Sequence, residues 1–213
     1  MTGLKQPIFV PAFTALLSLY FILGIAACNR MSSEDTKKPA TSIPADDTMR
    51  IDPGQRIGKI ALGMPADKIG FLGNPDLSDA AMGKAWLTWF SKNSHSVSGK
   101  FELNIFTAAL DPEVSEKEVR CIRVTSPDFK TTNGVATNVD SASVFKAYPN
   151  LKFIGTYTEK RGLPEISVYE DAKTGIGIEL DGADKKCSAV IVFSTEAGLM
   201  PDYGYFRPDL QRS

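Results

Sequence analysis

His95 is the single histidine of this 213-residue chain, and Cys28, Cys121 and Cys187 are its three cysteines. These are the side chains best suited to metal or nucleophilic chemistry, and their spacing is poor for both. A zinc site needs three or four ligands, yet His95, in the loop-like stretch "SKNSHSVSGK", has neither a second histidine nor a nearby cysteine pair. A Ser-His-Asp set can be drawn only from distant segments, without the strand-turn-helix elbow that presents a nucleophile. Asp111, Glu113, Glu116 and Glu118 make an acidic hairpin tip. Glycosidase carboxylates need a fixed separation across a cleft, so these four are expected on a solvated face. Gly175 and Gly177 in "TGIGIEL" lack the third glycine and the following helix of a phosphate loop. Gly175 is expected in a turn, and Gly177 where something packs closely against a strand. No catalytic set, metal site or cofactor site is expected, so the chain is read as a non-enzyme.

Cys28 has a different chemistry in prospect. From Ile8 to Ala27 no side chain is charged, and Lys5 is the only charge before that run. A positive start, an apolar body and small residues at the end are the layout of a secretory signal. At Ile25-Ala26-Ala27-Cys28 the run resembles a bacterial lipobox, in which the cysteine thiol takes a diacylglycerol and becomes the new N-terminus. The competing reading is an uncleaved anchor, since a spanning helix needs about 20 apolar residues. Both readings place the remainder outside the cytoplasm. Several acyl chains anchor stably, because each buried CH2 contributes about 0.8 kcal/mol and one chain alone is marginal. Lipid is therefore the expected membrane contact, with the outer membrane favoured over the inner; Asn29 is not the aspartate tied to inner-membrane retention in some bacteria, so this position does not itself assign the membrane. Residues 28–50 are polar and too poor in apolar area to offset ordering entropy, so they are expected to be a flexible tether. Glu34 and Asp35 within it fit either a surface-export signal or plain solvated linker.

Removing Lys5 with a leader of residues 1–27 leaves 23 basic against 25 acidic side chains, a formal charge of −2. That balance gives no electrostatic footprint for nucleic acid and no polybasic membrane patch. About 160 residues then remain to fold, enough for one good core or two small ones.

Those residues carry an internal echo. "GKIALGMPADKIGFLGNPD", from Gly58, lies over "NGVATNVDSASVFKAYPN", from Asn133, at a shift of 75 positions, with Ile60 on Val135, Met64 on Val139 and Ile69 on Val144. Each copy offers a short helix. Asp140 caps one, Val144, Phe145 and Tyr148 form its face, and Pro149 stops it. Pro65 opens the other and Gly73 closes it. Period-two alternation then predicts strands over 85–90, 101–107 and 119–125 in the first copy. In the second it predicts 165–170, 175–180 and 187–193, with an extra strand over 152–158. The expected fold is therefore α+β, a tandem repeat of a short helix or helix pair plus an antiparallel β-meander. Its bounds are 51–130 for the first repeat, 131–197 for the second and 198–213 for a C-terminal tail.

"KIALGMPADKIGFLGNPDLSD" followed by "WLTWF" resembles the small outer-membrane lipoproteins of the BamE (SmpA/OmlA) family. Their motif runs Ile-x-x-Gly-Met-Thr-x-x-x-Val, then Leu-Gly-x-Pro, then a tryptophan strand. Ile60, Gly63, Met64, Ile69, Leu72, Gly73, Pro75 and Trp89 fit it, with Pro65 in place of the usual Thr or Ser. The helix-plus-meander unit in tandem also resembles the β-lactamase-inhibitor-protein fold. These resemblances imply an envelope protein that works through an envelope protein partner; they transfer no binding residue.

Trp86 and Trp89 are an odd number of positions apart, so they face opposite sides of one strand. One can fill a core, and the other needs a cover. In the tail, Tyr203, Tyr205, Phe206 and Arg207 are of the types enriched at interface hot spots. They are expected either to pack back over the sheet, the favoured outcome, or to present a partner surface. Cys121 and Cys187 open the last strand of each copy, where an oxidising envelope would permit a disulfide. Two separate thiols are preferred, because Cys187 shares its expected face with Ala189, Ile191 and Phe193, whereas Cys121 sits with Val119 and Arg123. The function read from all this is a lipid-anchored, non-catalytic protein-interaction module, assembly- or inhibitor-like. The alternative is a lipid- or cell-wall-handling protein, even an enzyme, with a pocket between sheet and helices.

Overall fold

Thirteen strands, two α-helices and a 3-10 helix make up the elements of a computed structural model that describes residues 47–92, 100–109, 116–159 and 162–213. All of these lie in a compact unit spanning Thr41–Ser213. The leader, Cys28, most of the expected tether, His95, Asp111 and Glu113 fall outside the described residues.

The chain opens with β1 (Arg50–Asp52), β2 (Arg56–Ile57) and β3 (Ile60–Ala61), a small antiparallel set, followed by the 3-10 helix Ala66–Leu72. Arg50 pairs with Asp47 at 2.9 Å, and Arg56 pairs with Asp52 at 2.7 Å. The last residues of the expected tether therefore belong to the fold. Next come β4 (Leu77–Ala81), β5 (Lys84–Phe90), β6 (Glu102–Ala108), β7 (Glu118–Val124) and β8 (Lys130–Thr131). The second half runs α1 (Ser141–Ala147), β9 (Lys152–Tyr157), β10 (Ile166–Asp171), β11 (Ile176–Asp181), β12 (Cys187–Phe193), α2 (Met200–Phe206) and β13 (Gln211–Arg212). Helix α1 starts as its capping residue requires: Asp140 accepts a bond from the Ser143 N–H at 2.9 Å.

The expected α+β tandem repeat is not the observed fold. Nine strands form one antiparallel sheet in the order β13-β9-β10-β11-β12-β7-β6-β5-β4, and a second sheet runs β3-β2-β1-β8. Strand β12 bonds to β7, with Val190 opposite Val124 and Phe193 opposite Cys121, so the two meanders share a single sheet and neither copy is a unit. The helices are seven-residue segments and form no layer of their own. Strand β8 pairs in parallel with β1, which ties the boundary between the supposed repeats back to the start of the fold. The physical reason is the shared apolar spacing: it specifies which residues are buried but not which edges pair.

Both faces of the large sheet are covered. On the first, Ile105, Ile122, Ile176, Ile178 and Val192 pack with Ile51 and Ile57 of the small sheet, Ile69 of the 3-10 helix and Val144 of α1. On the second, Trp86, Phe106, Cys121, Tyr157, Val168, Ile191 and Phe193 lie with Leu199 and Tyr203. Double burial explains why β12 reads as an almost continuous apolar run.

Two irregularities decide which side several residues face. The pairing shifts between Phe106 and Thr107, where Arg120 is the extra residue, and between Glu179 and Leu180, where Ser188 is. A single inserted residue reverses the facing of everything beyond it. Cys187 therefore joins the first-face core, apart from Ile191 and Phe193, and Val119 parts from Cys121 and Arg123. The two thiols are free, buried and on opposite faces. Cys121 stands opposite Phe193, so Cys187 lies roughly 20 Å along the strand at about 3.3 Å per residue. A disulfide needs Cα atoms within about 7 Å. Burial raises the Cys121 thiol well above its ordinary value and pushes that of Cys187 up to about 12. A thiol reagent is expected to leave both unmodified in the native protein and to titrate both after denaturation without reductant. A count of zero after denaturation would refute the assignment.

Candidate functional site

The C-terminal segment and the sheet face beneath it hold a buried cluster of charged and aromatic side chains. Arg123 on β7 and Glu179 on β11 are 3% and 0% exposed. They meet in a bidentate pair, Arg123 Nε donating to Glu179 Oε1 at 2.8 Å and Nη2 to Oε2 at 2.7 Å. Tyr157 and Tyr203 donate their hydroxyls to the same carboxylate, at 2.9 and 2.6 Å. Arg123 Nη1 reaches Asn104 Oδ1 at 2.8 Å and Glu102 Oε2 at 3.0 Å, and Asn104 in turn donates to Thr88 at 2.9 Å. Burial alone would raise the Glu179 carboxyl; the Arg123 charge and the bonds from Arg123 and Tyr203 outweigh it and hold that carboxyl below its ordinary value. Burial drives the Tyr157 and Tyr203 hydroxyls upward, so both remain protonated donors.

This network is closed. A carboxylate offers about four acceptor positions, and all four on Glu179 are taken by protein donors. A general acid or base needs a free position toward substrate. The network instead fixes where the tail sits on the sheet.

Of the four tail residues singled out from sequence, Tyr203 is fully buried at that carboxylate. Phe206 packs on Trp86 with ring centroids 4.7 Å apart, and its ring also faces Arg123. Arg207 lies 4.0 Å over the Tyr157 ring and bonds Glu159 at 3.1 Å. Only Tyr205, 54% exposed, points outward; its ring stacks on Phe106 and its hydroxyl meets the Lys84 ammonium. The tail thus packs back over the sheet, and the partner surface it leaves is one aromatic rather than four residues. Trp86 and Trp89 do face opposite sides: Trp86 Nε1 donates to the Asp202 carbonyl at 3.3 Å, and Trp89 Nε1 to that of Gly73 at 3.2 Å. Gly177 is the close approach expected of it, since a Cβ there would meet Leu199 Cδ2 at 3.0 Å.

Tyr205 opens onto a wider exposed surface. Lys84, which contacts it, pairs with Ala81 across the β4–β5 hairpin, and all five residues of β4 are exposed. At the hairpin tip Met82 is 96% exposed. Elsewhere, Trp89, Phe90, Phe101 and Phe129 line a cleft of about 520 Å³. The carboxylates at its edge are engaged, Glu102 by Arg123 and Asp128 by the Ser126 hydroxyl. The space between the sheet and α1 is filled by side chains of the first-face core. Of the acidic tip, Glu118 begins β7 half-buried and Glu116 is exposed. Among the described residues no group of three or more His, Cys, Asp or Glu is placed to hold a metal ion, and no helix is long and apolar enough to cross a membrane.

Sequence reasoning passed over Arg123 and Glu179 as a pair. The available signal was charge inside two otherwise apolar strands, Arg120 and Arg123 in "VRCIRVT" and Glu179 in "GIGIEL", since a charge buried in a strand calls for a partner.

By fold this is a mostly β protein built on one nine-stranded antiparallel sheet. No protein-family model matches the sequence, and no curated protein does. Among solved structures, the chain is similar to an extracellular protein containing an SCP domain from Bacillus anthracis str. Ames. The two share 14% identity at a TM-score of 0.39, over 71% of this chain. The chain spans about half, 48%, of that neighbour's length.

Proposed function

We propose that this protein is a lipid-anchored envelope lipoprotein, held to a membrane through Cys28, whose folded part is a non-catalytic module that docks an envelope protein partner. The observation that carries the docking role is the continuous exposed surface of β4, Met82 and Tyr205. The closed Arg123–Glu179 network supports the non-catalytic part of the reading, because the best-buried carboxylate is spent on the fold. The apolar run before Cys28 and the small residues at its end support the anchor.

The anchor is tested by Cys28→Ser, which is expected to abolish labelling by a radioactive fatty acid and to leave unprocessed precursor. Label and mature mass retained in that variant would refute lipidation. Docking is tested by a photo-cross-linking residue in place of Tyr205 in the full chain in native envelopes, a position chosen because truncating the tail would remove Tyr203 from the core. A stoichiometric protein adduct is expected, and its absence refutes docking at this surface. The aromatic cleft favours a second reading, the handling of a lipid or cell-wall fragment. A co-purifying small lipid or wall fragment without a protein adduct would favour it.

A further inference from the structure

Among the described residues, one edge of the nine-stranded sheet is closed and the other is open. On the closed side the chain's own β13 pairs with β9, Gln211 opposite Thr156 and Arg212 opposite Gly155. On the open side β4 pairs inward with β5, from Leu77 opposite Thr88 to Ala81 opposite Lys84. An open edge is a template for another strand, and proteins usually blunt it with lysine, proline or a bulge. The stretch Leu77-Ser78-Asp79-Ala80-Ala81 has none of these, and the charge of Asp79 is its one protection.

The hairpin geometry says which groups are free. A two-residue loop, Met82-Gly83, closes on a hydrogen-bonded pair, Ala81 with Lys84. Hydrogen-bonded positions alternate along an antiparallel strand, so Leu77 and Asp79 also bond to β5. Ser78 and Ala80 turn their N–H and C=O groups outward.

The loop itself is unusual. Met82 and Gly83 have φ of 46° and 77°. The turn type that puts two residues there favours Asn, Asp or Gly at the first position, because a side chain with a full Cβ is strained in the left-handed region. A methionine in that conformation at 96% exposure contributes nothing to the core. Strain held at an exposed site points to a role outside the fold, and methionine adapts its shape to an apolar partner.

Charge then selects the occupant. Leu77, Asp79 and Ala81 stand opposite Thr88, Trp86 and Lys84. Asp79 is exposed at the middle of the edge, and among the described residues it joins no ion pair; Lys84 is engaged by Tyr205. A second copy pairing in full antiparallel register would set Asp79 against Asp79, and like charges directly opposite are destabilising. A strand carrying Lys or Arg at that position is attracted instead.

Resting on the docking reading above, we infer that β4 receives an extended segment of a partner protein by strand addition, with a Lys or Arg of that segment opposite Asp79 and an apolar residue against Met82. Main-chain bonds at Ser78 and Ala80 supply the affinity, and the charge and the methionine supply the selection.

The test uses random short peptides displayed on phage and selected against the detergent-solubilised full chain. Enrichment of alternating apolar peptides that share one basic position is expected. Ala80→Pro removes an outward N–H while sparing the bonds to β5, and it is expected to weaken the enriched peptides about tenfold or more. Asp79→Lys is expected to weaken them comparably and to favour peptides with Glu or Asp at that position. Unchanged affinity in Ala80→Pro, an enriched set without a basic position, or a homodimer of the full chain that Ala80→Pro dissolves would each overturn strand addition by a partner. If Ala80→Pro lowers the unfolding midpoint, Asp79→Lys decides alone: undiminished binding of the basic peptides overturns the proposal. A Tyr205 adduct in envelopes that persists in Ala80→Pro leaves docking standing while strand addition falls; no adduct at all removes the docking reading itself.

Discussion

Deletion of residues 199–213 is expected to leave a chain without a cooperative unfolding transition. Leu199 and Tyr203 are fully buried against Trp86, Phe106, Ile191 and Phe193, and Phe206 covers Trp86. Full burial of one such side chain contributes about 1.5–3 kcal/mol. Deletion also takes the Tyr203 hydroxyl from Glu179 and uncovers the apolar second face. The combined loss, above about 5 kcal/mol, is comparable to the whole stability of a typical domain, about 5–15 kcal/mol. Urea titration followed by near-ultraviolet circular dichroism reads the result. A sharp transition with an unshifted midpoint would show that the tail is an accessory rather than part of the core. The tail's two roles differ in scale, so Tyr205→Ala, at an exposed position, is expected to leave the midpoint almost unchanged.

Replacing Glu179 with Gln is the second large effect. It leaves the buried Arg123 guanidinium with only the partly exposed Glu102 carboxylate as counter-charge, and breaking a buried pair from one side costs about 3–5 kcal/mol. The double replacement Arg123→Met with Glu179→Leu is expected to recover a good part of that loss, because a packed apolar pair carries no desolvation penalty. The pH dependence carries a definite sign. The folded-state Glu179 carboxyl lies below its ordinary value near 4.5. Its contribution is therefore fully present above that value and is lost as pH falls through the lower folded-state one. The stability gap between wild type and Glu179→Gln should be widest near neutrality and should shrink in acid. Urea midpoints at several pH values measure it, and a gap that widens on acidification would contradict the assignment of Glu179 as the ionised partner.

Locally coded features were legible. Strand β12 falls where its apolar run and bounding turns place it, and α1 begins after Asp140 because an aspartate side chain caps a free N–H at short range. The positions of β5, β6, β7, β9, β10 and β11 follow alternation to within a residue or two. Strand β4 was not legible. "LSDAA" has little strand propensity and lies wholly exposed, so its conformation comes from pairing with β5. Facing departs from simple alternation wherever Arg120 or Ser188 inserts into a strand, because a bulge has no clear signature in composition and yet reverses the sides beyond it.

Local sequence was enough to place the seven longer central strands and the cap of α1, to show that no compact ligand or nucleophile motif runs along the chain, and to show that a lipobox-like cysteine ends an uncharged run. Each rests on contacts within a few residues, where backbone geometry and side-chain type are enough. Long-range packing settled that two meanders make one sheet, that Arg123 and Glu179 meet across 56 positions, that the tail seals the second face, and that β4 is left open among the described residues. Strand alternation specifies a buried face but not a neighbour. Choosing among pairings of distant edges is a matter of total burial and of matching buried charges, which no local stretch of sequence contains.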